Sequence, residues 1–298
     1  MRQLIDISKH NGKIDFGKVE KAVDGIIIRA GYGWEFHKDP MLDTYRKECQ
    51  RYAIPYGLYC YSYATSLEQA KKEVQGFLAC IKGMRPEYPV IIDTEDADKW
   101  RLKNGNPSWG EKASMLLYQL REIERAGYYA MYYCSTSWYD QMVRREPDLK
   151  KYDLWLAHWG IKEPSRPCGV WQYTSGGTVP GIRGRVDMNT AYKDYPAIIR
   201  EKGLNGFEAG AGKSPKKPPA GRLLITYLYD GDLPNAVALF NLYAHRASLI
   251  KGEPMEKDGA TVIQLGGPRQ GWADLYLAGK DRRETFLAVA DFLESGKE

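Results

Sequence analysis

Apolar residues in the first 200 positions come in short runs separated by stretches of helical spacing. Runs at Leu4–Ile7, Gly25–Ala30, Tyr56–Tyr63, Pro89–Asp93, Tyr128–Cys134, Leu154–His158, Val170–Tyr173 and Arg185–Met188 predict eight strands. Amphipathic stretches at Phe16–Ala22, Asp39–Tyr52, Ser66–Ile81 and Trp109–Ala126 separate the first five, and Tyr139–Arg145 follows the fifth. The last strands succeed one another with little helix between them. Strand–helix units of this length predict a parallel sheet. Eight of them in this span predict a compact (β/α) barrel with a helix-poor final third.

The pattern breaks at 205–221, NGFEAGAGKSPKKPPAG, which is Gly, Pro and Lys with almost no apolar content. It reads as a linker, part flexible and part stiffened by proline. The expected division is therefore a barrel at 1–204, a linker at 205–221 and a small α/β domain at 222–298. In that last domain Arg222–Tyr229, Thr261–Leu265 and Leu275–Leu277 read as strands, and Leu233–Ala247 and Arg283–Leu293 as helices.

Charge and composition narrow the function classes. The net charge of +5 divides as +4 over residues 1–210, +3 over 211–220 and −2 over 221–298. So weak an excess argues against nucleic acid as a partner. No run approaches the roughly 18 apolar residues of a membrane span, and Met1–Lys13 lacks the apolar core of a secretory signal. The five cysteines, Cys49, Cys60, Cys80, Cys134 and Cys168, are odd in number and include no CxxC pair. Buried free thiols are expected, with no metal site and no cofactor. Aromatic usage is biased: the chain has 22 Tyr and 8 Trp against 7 Phe, and 18 of those Tyr and 7 of those Trp lie within residues 1–210. Rings with a polar handle suit a surface that meets both water and an apolar ligand face.

Candidate chemistry sits at strand ends. Val90–Ile92 runs straight into Asp93-Thr94-Glu95-Asp96. Strand alternation points Asp93 and Glu95 the same way, with Cα atoms roughly 6.5–7 Å apart. Two crowded carboxyls raise each other's proton affinity, so one can act as a general acid while the other stays ionised, as glycosidic cleavage requires. An acidic cap cluster in a loop is the alternative reading of this segment. Asp6 in the first strand, Asp187 in the eighth and the pair Trp171–Gln172 in the seventh would converge on the same mouth.

These segments resemble the glycoside hydrolase family 25 lysozymes. The resemblance rests on IDISKHNG (Ile5–Gly12), IIIRAGYG (Ile26–Gly33), IPYGLYCYSYA (Ile54–Ala64), VIIDTED (Val90–Asp96), LWLAHW (Leu154–Trp159), VWQYTSGG (Val170–Gly177) and VDMN (Val186–Asn189), in that order. It implies an irregular (β/α) barrel of TIM type with five βα units and three closing strands. It also implies hydrolysis of the β-1,4 bond between N-acetylmuramic acid and N-acetylglucosamine in bacterial peptidoglycan. Glu95 would be the general acid, and Asp93 would orient the substrate acetamide. Asp6 and Asp187 would tune the acid and bind substrate, or Asp187 would act as base on water. Tyr32, Tyr61, Tyr63, Tyr133, Trp159, Trp171, Gln172 and His10 would contact sugar. For His10 and His158, substrate hydrogen bonding or packing is favoured over proton transfer, because the carboxylates already supply the chemistry.

Leu223–Leu239 and Tyr276–Leu293 resemble the cell-wall-binding domains of clostridial phage endolysins, which implies wall targeting. A structural module, or one that joins copies of the chain into a homo-oligomer, is the alternative there. The whole reading is a phage endolysin held in the host cytoplasm until holin-type release. A barrel chitinase or N-acetylglucosaminidase is the alternative enzyme, and a non-catalytic wall-binding protein the alternative of another class.

Overall fold

In a computed structural model the structure describes residues 1–207 and four strands beyond them, Leu223–Tyr227, Ala247–Lys251, Thr261–Leu265 and Leu275–Leu277. The chain divides into two compact units, Met1–Ala209 and Gly210–Glu298.

The first unit is a closed barrel. Its strands are β1 (Arg2–Ile7), β2 (Gly25–Tyr32), β4 (Tyr56–Tyr61), β5 (Val90–Asp93), β6 (Ala130–Ser135), β7 (Asp153–Ala157), β8 (Val170–Gly177) and β9 (Val186–Ala191). A two-residue strand, β3 (His37–Lys38), pairs with the end of β2. Neighbours from β1 round to β8 pair in parallel, and β9 closes the ring between β8 and β1. Five helices lie between strands: α1 (Phe16–Val19), α2 (Leu42–Arg51), α3 (Leu67–Ile81), α5 (Trp109–Arg125) and α6 (Thr136–Arg145). A four-residue helix, α4 (Trp100–Lys103), follows β5, and α7 (Tyr195–Glu201) follows β9.

Local sequence explains the long helices. Ser66 caps α3 by accepting from Gln69 N, and Ser108 with Glu111 forms a capping box on α5. Val74, Phe77 and Ile81 of α3 and Leu116, Leu120 and Ile123 of α5 recur on one helical face. Those faces pack on the outward residues Ile5, Ile26, Ile28, Leu58, Val90 and Ile92 of the strands. The alternate strand residues Leu4, Ile27, Tyr59, Ile91, Met131, Trp155 and Val170 fill the barrel interior.

The eighth strand differs from the expected parallel pairing. β9 runs antiparallel to both β8 and β1. Only eight residues, 178–185, connect β8 to β9, and a parallel return needs a crossover of a dozen or more. Helices α4 and α7 and strand β3 were not legible in the pattern. α4 is four residues long, and its backbone N–H groups at Arg101 and Leu102 donate to the Asp96 carboxylate, which caps it.

The barrel also continues past residue 204, where the linker was expected to begin. Asn205 is fully buried. Its amide donates to Pro86 O (2.7 Å) and Tyr88 O (3.1 Å) and accepts from Tyr129 N (2.7 Å). It thereby ties together the segments entering β5 and β6, at the end of the barrel away from the acids. Phe207 joins the interior cluster with Tyr88, Tyr195 and Ile199.

In the second unit the four described strands, β10 to β13 in chain order, form a parallel sheet in the order β11-β10-β12-β13. β11 was not expected: it begins at Ala247, where the predicted helix Leu233–Ala247 ends. The rest of that helix and the helix at Arg283–Leu293 lie outside the described residues. The fold class of the barrel unit is therefore α/β, and in the second unit the described residues form a parallel sheet.

Removing the Asn205 amide strands two buried carbonyls and one buried N–H. Asn205→Ala should lower the stability of the full chain by about 2–3 kcal/mol in urea unfolding. A change under about 0.5 kcal/mol would mean that this tie does not hold the barrel closed.

Candidate active site

Five interior strand faces turn polar towards the same end of the barrel. Leu4 is followed two residues on by Asp6, Tyr59 by Tyr61, Ile91 by Asp93, Met131 by Tyr133 and Val170 by Gln172. β9 runs the other way, so its start, not its end, reaches this mouth. Asp187 stands directly opposite Asp6 in the antiparallel register, where Cβ atoms lie about 4.5–5.5 Å apart.

Asp6 is buried and accepts from Gln172 Nε2 (3.0 Å) and Asn189 Nδ2 (2.9 Å). Asn189 is held in turn by Trp155 Nε1, which donates to its Oδ1 at 2.8 Å. Asp93 lies between its register partners Tyr61 on β4 and Tyr133 on β6. Its buried Oδ1 has no hydrogen-bond partner among the described residues. Glu95 follows on the loop and is half-buried.

Burial raises the proton affinity of all four acids, and repulsion from neighbouring acids adds to it at Asp6, Asp93 and Glu95. Burial, then Asp187, then Asp98 push Glu95 up to about 7, and Arg101 opposes the rise. Burial and Asp187 push Asp6 to about 8, against the two amide donors. Asp93 is raised well above the carboxylate range by burial, then by Glu95 and Asp6, against Arg101 and Arg29. Burial raises Asp187 as well. Among the described residues, no three His, Cys, Asp or Glu side chains are grouped to hold a metal ion.

Aromatic rings line the approach on the β2–β4 side. Tyr63 is the hub, with ring centroids 4.9 Å from Tyr61, 6.3 Å from Tyr32 and 5.7 Å from Trp100. Its hydroxyl donates to Asp98 at 2.6 Å. Two adjoining hollows share Tyr32, Tyr63 and Asp98. One, of about 320 Å³, adds Lys9, His10, Arg29 and Tyr61. The other, of about 380 Å³, adds Trp34, Glu35, His37 and Trp100. Lys9 and Arg29 both lie over the Tyr32 ring, at 5.5 and 5.4 Å.

On the β6–β8 side, Tyr133 Oη (3.0 Å) and Trp159 Nε1 (3.1 Å) both donate to Gln172 Oε1. Trp159 is 52% exposed, so its ring is open to a ligand. Trp171 is not brought to the cleft. Gln172 points inward, so the alternation of β8 sends Trp171 to the outer surface. There it donates to His158 O at 2.8 Å and lines a hollow with Cys168, Thr190 and Tyr192. His158 is occupied at its rim by Ser165, 2.7 Å away.

Sequence reasoning missed Arg29, Asp98, Trp100, Asn189 and Arg101. Arg29 had a readable signal: it is a cation inside the apolar run of β2 and is paired with the buried Asp39 at 2.7 Å. The other four carry no signal outside the fold.

The sequence profile of the glycosyl hydrolases family 25 matches residues 5–182. The chain belongs to this family. It is therefore a glycoside hydrolase, with its family domain in the barrel. Lysozyme M1 of Streptomyces globisporus is 38% identical over 197 residues, covering 63% of this chain and 66% of that protein. An uncharacterized protein, YegX, of Escherichia coli strain CFT073 is 24% identical over 218 residues, covering 71% of this chain and 75% of the relative. Among solved structures, the modular autolysin LytC of Streptococcus pneumoniae, in complex with a synthetic peptidoglycan ligand, superposes with a TM-score of 0.56 at 32% identity. That match covers 64% of this chain and 46% of LytC. The CTP1L endolysin superposes with a TM-score of 0.56 at 22% identity and covers 99% of both chains, a likeness of fold.

A carboxyl whose proton affinity is raised in the native state stabilises the fold at low pH. That stabilisation is lost as pH rises from the unfolded value to the native one. For Glu95 the window runs from its ordinary 4.5 to about 7. Glu95→Gln should match the parent at pH 4 and exceed it by about 1–3 kcal/mol at pH 8.5 in chemical unfolding. Equal stabilities at both pH values would show that Glu95 is not held protonated by its surroundings.

Proposed function

We propose that this chain is a lysozyme of the phage-endolysin type. It hydrolyses the β-1,4 bond between N-acetylmuramic acid and N-acetylglucosamine in bacterial peptidoglycan. The observation that carries the reading is Glu95, an acid held protonated near neutral pH two residues from the buried Asp93, at the ring-lined mouth of a family 25 barrel.

A general acid works best when its pKa lies near the working pH. Glu95 then gives its proton to the leaving glycosidic oxygen as the C–O bond breaks. Oδ1 of Asp93 is buried with no hydrogen-bond partner among the described residues, which leaves it to accept the N–H of the substrate acetamide. So oriented, the acetamide carbonyl oxygen attacks the anomeric carbon as the glycosidic bond breaks; water then opens the cyclic intermediate at that carbon and returns a proton to Glu95, the substrate-assisted variant of glycoside hydrolysis. Asp187, facing Asp6 across β9 and β1, adds with Asp98 the negative field that keeps the proton on Glu95. Tyr32, Tyr61, Tyr63 and Trp159 present ring faces and hydroxyls to the pyranoses.

Lysozyme M1 at 38% identity and the peptidoglycan-bound LytC at 32% support the muramidase reading over a chitinase. The folds of CTP1L and of the endolysin ply40 of a Listeria bacteriophage support the endolysin reading. In that reading the protein waits in the host cytoplasm and acts on the wall after release, and the second unit raises its concentration there.

Digestion of purified walls followed by mass spectrometry of the muropeptides tests this. New reducing ends on N-acetylmuramic acid are expected, with walls preferred over chitin. Reducing ends on N-acetylglucosamine, or preferential release from chitin, would overturn the reading. Glu95→Gln and Asp93→Asn should each cost about 100-fold or more in rate.

A further inference from the structure

Behind the acid-bearing turn, on the helix side of the barrel wall, lies a buried cation that the proposed chemistry does not use. Arg101, in α4, is 2% exposed. Its Nη1 donates to Thr94 Oγ1 at 2.9 Å and its Nη2 to Ser62 O at 2.7 Å. Thr94 is the residue between Asp93 and Glu95, and Ser62 is the residue between Tyr61 and Tyr63. The planar guanidinium fork therefore bridges the acid-bearing turn and the ring-bearing turn.

The clamp is itself held in place. Arg101 N donates to Asp96 Oδ1 (2.8 Å), Asn106 N donates to Arg101 O (2.7 Å), and the guanidinium lies 5.5 Å over the Trp138 ring of α6. Glu73 on α3, buried nearby, does not replace the fork's acceptors. It is occupied by Ser62 Oγ, Tyr63 N (2.9 Å) and Gln119 Nε2 (2.7 Å).

We propose that Arg101 is a positioning residue for hydrolysis: one guanidinium ties Thr94, between the two reactive acids, to Ser62, between the two cleft tyrosines, and holds its positive charge behind the acid-bearing turn. The inference rests on the lysozyme reading above and adds to it the group that sets both the geometry and the working pH.

The two contributions are separable. The fork fixes how far Glu95 sits from a sugar held on Tyr61 and Tyr63, and small misplacements of a reacting pair are costly in rate. The charge acts on Glu95 against burial and against the acids around it: Asp187 from β9, Asp6 from β1, Asp93 from β5, and, from its own loop, Asp98 and the helix-capping Asp96. Tyr61 from β4 and Tyr133 from β6 also face Glu95. Around Arg101 itself stand Glu73 from α3 and Lys112 from α5. Activity needs Glu95 protonated and falls as pH rises through its pKa. Removing the cation raises that pKa, so the alkaline limb of the pH profile must move to higher pH.

The test is kcat and KM of the full chain on solubilised uncrosslinked wall glycan, from pH 5 to 9. Arg101→Gln should lower kcat by about 10–100-fold with little change in KM, and move the alkaline limb of kcat/KM up by about 0.5–1 pH unit. Arg101→Lys keeps the charge but not the fork, so it should lower kcat by about 3–10-fold and leave the limb within about 0.2 unit of the parent. Thr94→Val, nearly isosteric and uncharged, should lower kcat by about 3-fold or more with the limb unmoved. The Lys and Val variants decide the matter even if the Gln variant does not fold.

An alkaline limb shared by parent, Gln and Lys variants, or a parental kcat in Thr94→Val, would overturn the proposal. An inactive parent would instead sink the lysozyme reading, whereas an active parent with unmoved variants sinks this inference alone.

Discussion

Carboxylates repel one another most where water is excluded, and the barrel mouth holds four of them. Asp6, Asp93, Glu95 and Asp187 come from three strands and one loop, and burial is the largest influence on each. Their surroundings answer with neutral donors and rings more than with ion pairs: Gln172 and Asn189 on Asp6, Tyr61 and Tyr133 beside Asp93. A fully paired cluster would hold every acid ionised. This partial compensation keeps protons in the mouth near neutral pH, at a cost in stability that the apolar layer below offsets.

That arrangement depends on the direction of one strand. β9 returns antiparallel, so Asp187 at its beginning meets Asp6 towards the end of β1. A parallel β9 would carry Asp187 to the opposite end of the barrel. The helix-poor side of the ring is thus tied to the chemistry, because the short connection that leaves no room for a helix also forces the antiparallel return. The other side supplies the cleft wall. There Tyr32, Tyr61 and Tyr63 leave the ends of β2 and β4 and meet Trp100 from the short helix after β5.

Arg101 joins the two sides of this design. It lies in a helix of four residues that no periodicity announces, yet it touches the turn carrying Asp93 and Glu95 and the turn carrying Tyr61 and Tyr63. Asp96, the last acid of the Asp-Thr-Glu-Asp run, is turned away from the mouth to cap that helix. One acidic segment thus divides its residues between chemistry and scaffold.

The one-dimensional pattern determined the strands, their inward and outward faces, the four long helices and the acids at the strand ends. These follow from local spacing, since alternation in a strand and 3.6-residue recurrence in a helix are properties of neighbours in the chain. Ile91 and Asp93 share a face because they are two residues apart, whatever the rest of the chain does. Only the tertiary structure decided the direction of β9, the pairing of Asp6 with Asp187 and the reach of Arg101 to Ser62. It also carried the barrel on through Asn205, in a stretch whose composition reads as linker. Each of these sets residues tens to nearly two hundred positions apart against one another, and contacts of that range leave no periodicity in a single sequence.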